Sequence, residues 1–81
     1  MCHLSDFSET QLRLLQDGIV MQIAENNNQL YTLEDLFEYS ELSKNIAYLE
    51  RKKKEDDLYQ IATQILEAIV KKKMEAIVSY N

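Results

Sequence analysis

Cys2 and His3 stand side by side, and a thiol next to an imidazole is the pair in this chain closest to chemistry. Such a pair could act as a nucleophile with its base, or as two ligands of a metal. A nucleophile also needs oxyanion donors held opposite it, and a metal needs three or four ligands. His3 is the only histidine and Cys2 the only cysteine, so neither set can be completed. The sequence therefore assigns no catalytic residue, no cofactor-binding residue and no metal ligand, and it reads as a chain that is not an enzyme.

The second group is a run of carboxylates, Glu34, Asp35, Glu38 and Glu41. Acid–base work would need two of them held in a pocket with their pKa values driven apart. At these spacings on a helix they form a solvated acidic face instead. Glu34 and Glu38 repel mildly at a separation of four. The patch invites a basic surface, either a partner's or this chain's own lysine runs at 52–54 and 71–73. Tyr39, Tyr48 and Tyr59 read as residues at the edge of a core, with their hydroxyls in water.

The third group is basic. Residues 32–50, TLEDLFEYSELSKNIAYLE, invite comparison with a helix-turn-helix, in which Lys44, Arg51, Lys52, Lys53 and Lys54 would meet nucleic acid. The link at Ser40 is short for that motif and lacks glycine. The leading helix is strongly acidic, which opposes the electrostatic footprint of DNA binding. A DNA-associated regulator built on 33–53 is the alternative expectation. Nucleic acid is the partner that the charge pattern disfavours.

These groups have to be carried by elements, and the composition limits what those can be. One glycine, no proline and many Leu, Ile, Lys, Glu and Gln favour helix throughout the 81 residues. A chain of this length makes one domain and buries a modest fraction of its surface. One cysteine excludes an internal disulfide, which leaves good helix packing or self-association as the source of stability. No apolar run is long enough to span a membrane, and no basic start precedes an apolar run, so the expected location is cytoplasmic. Frequent Asn, Lys, Ile and Tyr point to a low-GC bacterial, phage or plasmid source. The net charge of −5 is uneven, since residues 1–41 carry eight acids and one base (−7) and residues 42–81 carry six acids and eight bases (+2).

The organising element is the stretch 57–79. Leu58, Ile61, Ala62, Ile65, Leu66, Ala68, Ile69 and Val70 fall on one broad helix face. Helix 1 is expected at about 9–26. Ser8 and Gln11 are spaced as a capping box, and Phe7 and Leu12 as the flanking hydrophobic staple. Leu12, Leu15, Ile19 and Ile23 form its apolar stripe. The Asn26-Asn27-Asn28 triplet reads as a loop. Thr32 is expected to cap a short helix at 33–39, and Ser40 to begin another at 41–53. A turn is expected near 54–57, where a basic run meets an acidic one, with Asp57 capping the last helix.

The expected fold is all-α, a small three- or four-helix bundle with the long C-terminal helix packed antiparallel on helix 1. The expected function is protein–protein interaction, as a regulator, inhibitor or assembly adaptor. Two apolar sets fall outside the core stripes and are the expected partner-facing residues: Leu14 and Met21 on helix 1, and Met74, Ile77 and Val78 near the C-terminus. The partner is another protein, or a second copy in a homodimer.

Overall fold

The computed structural model describes residues 4–79, with side chains through Ile77. Cys2 and His3 lie outside the described residues, and for Val78 only the helical backbone is described. A 3-10 turn at Leu4–Asp6 leads into α1 (Glu9–Leu36), a one-turn α2 (Tyr39–Leu42) and α3 (Ile46–Ser79). The protein is an all-helical hairpin in which α3 packs along α1. It measures 58 × 21 × 18 Å, with a radius of gyration of 17.3 Å. A compact chain of this length would have a radius of about 12 Å.

α1 starts as its sequence dictates. The Gln11 amide donates to Ser8 Oγ at 3.1 Å, and the Ser8 amide donates to Gln11 Oε1 at 2.8 Å. Phe7 packs against the cluster around Leu12, as a staple requires.

The expected break at Asn26–Asn28 is not there, and α1 runs through it to Leu36. The reason lies in the seam between the helices. Leu12, Gln16, Ile19, Ile23, Asn26, Leu30 and Leu33 are separated by alternating steps of four and three, and all are buried or half-buried. Tyr48, Arg51, Glu55, Leu58, Ala62, Ile65, Ile69 and Lys72 form the matching row on α3. This is the seam pattern of coiled helices, and it holds both helices straight past their weak formers. Asn26 is a seam residue, 1 % exposed, whose Nδ2 donates to the Arg51 carbonyl at 3.0 Å. Thr32 is interior to α1 and caps nothing; its hydroxyl donates to the Asn28 carbonyl.

The short helices expected at 33–39 and 41–53 and the turn expected at 54–57 are likewise corrected. The chain leaves α1 in extended conformation at Phe37 and Glu38, makes the single turn of α2, and enters α3 at Ile46. Asn45 begins α3, since its Oδ1 accepts the Tyr48 amide at 3.0 Å. Ser40 lies inside α2, where its carbonyl accepts the Ser43 hydroxyl. α3 then passes through Lys52–Asp57 unbroken, because the residues it turns toward α1 there are Arg51, Glu55 and Leu58 rather than Lys53 and Asp56. Asp57 is interior to α3 and begins no helix.

The apolar core is small and sits toward the open end of the hairpin. Leu12, Ile65 and Ile69 form its buried centre, with Leu4, Phe7, Ile19 and Ala68 packed around them. Lys72 reaches across and donates to the Ser5 carbonyl at 2.8 Å, tying the N-terminal turn to α3. The connector end is more polar, with Leu30, Leu42 and Leu58 as its buried apolar residues.

Gly18 lies mid-helix with open space where a Cβ would stand. Gly18→Ala is expected to raise stability by about 1 kcal/mol, because glycine holds helical conformation at a larger entropic cost. An unchanged urea midpoint would count against a helix there.

Candidate protein interface

The apolar side chains outside the seam do not scatter evenly. At about 100° per residue, Val20, Ala24 and Tyr31 share one flank of α1. Tyr59, Leu66, Val70 and Ile77 share one flank of α3. The two flanks lie on the same side of the hairpin, because Arg13, Asp17, Leu66, Val70 and Lys73 line a common groove over the seam residues Gln16 and Ile69. Val20 and Leu66 are each 54 % exposed and Val70 is 48 % exposed. On the opposite side, Phe7, Gln11, Leu14 and Leu15 line a shallow apolar depression beside the N-terminal turn.

Of the partner-facing residues read from the sequence, Ile77 shares the groove-side flank of α3 and Met74 stands on the outer side of that helix, and both are well exposed. Met74 also lines a shallow apolar depression with Leu66 and Val70. Leu14 and Met21 are exposed as well, but they point away from α3 on the back of α1. They form a separate patch. Val20, Tyr31, Leu66 and Val70 were not distinguishable as surface residues, because a single helix does not reveal where its neighbour lies. The 4–3 row through Asn26 was the signal that could have located them.

The basic residues at 44–54 do not converge. Consecutive residues of a helix fan out by about 100°, so Arg51, Lys52, Lys53 and Lys54 point four ways. Arg51 is half-buried, with Nη1 donating to Asn26 Oδ1 at 3.4 Å. Lys52 Nζ lies 3.4 Å from Glu55 Oε1, and that hydrogen bond and charge raise the lysine pKa. Lys53 and Lys54 are exposed, and Lys44 lies in the turn before α3.

Among the acids, Glu34 accepts the Tyr48 hydroxyl at 3.2 Å. Partial desolvation, then this bond and the Glu34 charge, raise the Tyr48 pKa, so the phenol remains a neutral donor. Tyr39 stands largely in solvent and Tyr59 is about half exposed. No group of three or more His, Cys, Asp and Glu able to hold a metal occurs among the described residues. No helix among the described residues is long and apolar enough to cross a membrane.

Gln16 Oε1 is buried in the seam without a hydrogen-bond partner among the described residues. With Asn26 and Arg51 it makes this seam more polar than an apolar core of the same length, which increases the value of any further apolar cover.

The chain matches no protein family, no curated protein and no solved structure among those compared with it.

Proposed function

We propose that this chain is a protein–protein interaction module, acting as a regulator, inhibitor or assembly adaptor in a bacterial or phage cytoplasm. The observation that supports this reading is the groove face, on which apolar residues of both helices stand about half exposed around Leu66 and Val70. Isolated exposed leucines are ordinary, whereas an aligned apolar face marks an interaction surface. Recognition would follow helix-face logic, with apolar anchors buried in the partner and the rim charges Arg13, Asp17 and Lys73 setting orientation. Ile77 would prolong the face, Met74 would widen it around α3, and Leu14 with Met21 would offer a second, smaller contact.

Site-specific photocross-linking in the cells that make the protein tests this. A cross-linker at Leu66, Val70 or Ile77 is expected to trap a protein, another or itself, while one at Gln60 on the polar side of α3 traps none. If no cross-linked protein forms from the groove face, nor from Leu14 or Met21, the interaction reading is wrong.

A further inference from the structure

We propose that the groove face is covered by a second copy of this chain, set antiparallel, so that two hairpins make a four-helix bundle. The inference rests on the reading that this face is an interaction surface, and it names the occupant.

The first argument is area. The chain exposes 6451 Å². A compact monomer of 9.5 kDa would expose about 5,000 Å². The excess, about 1,400 Å² per chain, exceeds the roughly 800 Å² per partner that a standard stable interface removes. Six apolar residues are buried among the described residues, so the hairpin alone is marginally stable and gains from further cover. A second copy is the one cover always present wherever the chain is made.

The second argument is that the face is complementary to itself when reversed. Arg13, Asp17 and Val20 lie on the α1 flank at distances of eleven, seven and four residues before Ala24. Asp35, Tyr31 and Asn28 lie on the same flank at the same distances after it. A two-fold axis at Ala24 therefore sets Arg13 level with Asp35 of the second copy, and Asp17 level with Tyr31 of the second copy. The Arg13 guanidinium, which pairs with Glu9 of its own helix at 2.9 Å, meets a second carboxylate, a carboxylate meets a phenol that can donate to it, and Val20 lies level with Asn28. The axis falls on a small side chain, which permits close approach of the two α1 helices. Such an isologous pairing closes at two copies. With like ends together, the acidic connectors carrying Glu34, Asp35, Glu38 and Glu41 would instead face each other and repel.

The test combines mass and geometry on the full chain. Light scattering is expected to show twice the chain mass at micromolar concentration. Replacing both Val20 and Leu66 with Glu is expected to give a monomer whose helical circular dichroism is retained, while Gln60→Glu, on the polar side of α3, leaves the dimer intact. Arg13→Glu and Asp35→Arg are each expected to weaken the dimer about tenfold, and the double variant to recover it. In a Cys2→Ser background, Ala24→Cys is expected to form an interchain disulfide on mild oxidation. A monomer at every concentration overturns self-pairing. If cross-links from Leu66 to another protein persist in that case, the interaction reading stands without it. A dimer that survives the Val20 and Leu66 replacements, or charge reversals that fail to rescue each other, overturns the face or the antiparallel setting.

Discussion

Leu12→Ala is expected to lower the unfolding free energy by about 3 kcal/mol, within the range for leucines truncated in a closed core. Leu12 is 0 % exposed and sits at the centre of the cluster with Ile65 and Ile69. Alanine forms helix as readily as leucine, so the loss reports packing and not propensity. Small domains lie near the bottom of the usual range of about 5–15 kcal/mol, so one methyl-rich side chain carries a large share of the total. Urea unfolding followed by helical circular dichroism measures it. Leu66→Ala removes the same atoms from a groove-face position that is 54 % exposed. Its cost should stay under about 1 kcal/mol in a dilute monomer and rise with protein concentration if a partner copy covers it. A loss below about 1 kcal/mol for Leu12 itself would mean that this cluster is not the core.

The second large effect distinguishes a helix from a loop. Asn27→Pro is expected to cost about 3 kcal/mol or more, since proline deletes a helical hydrogen bond and its ring collides with the preceding turn. Lys54→Pro should do the same in α3. Glu38→Pro is the contrasting case. Glu38 has φ −74°, close to the value that proline fixes. Phe37 before it is extended at φ −125° and ψ 148°, as a residue preceding proline should be. That substitution should be neutral, or stabilising by about 0.5 kcal/mol through the unfolded chain. If Asn27→Pro unfolds at the same urea concentration as the parent, α1 is broken at the asparagines.

The asparagines also show what was legible in the sequence. The all-helical class, the Ser8–Gln11 start and the pairing of the first helix with the last could be read from spacing, because capping and apolar periodicity are local signals. The continuity of α1 and α3 could not be read the same way. Asn26, Arg51 and Glu55 occupy seam positions with polar side chains, so a search for apolar stripes stops short of each. Propensity favoured a turn at three asparagines, and pairing with the opposite helix outweighed it. The exposed apolar face was half legible for the same reason. Met74 and Ile77 stood out as surface residues because they broke a stripe, whereas Leu66 and Val70 looked like part of the core until α1 was placed beside them.

The division of the seam into a polar connector end and an apolar open end also bears on how the chain folds. The Glu34–Tyr48 contact closes a short loop, whereas Leu12 must find Ile69 across most of the chain. The longer closure costs only about 1 kcal/mol more, but it is the one that brings the apolar residues together. Zipping from the connector begins easily and gains little until its last turns meet. A half-closed hairpin would hold its polar contacts while its main apolar cluster stayed in water, so it should not accumulate. Folding should then be all-or-none, with the rate set by the arrival of the two chain ends.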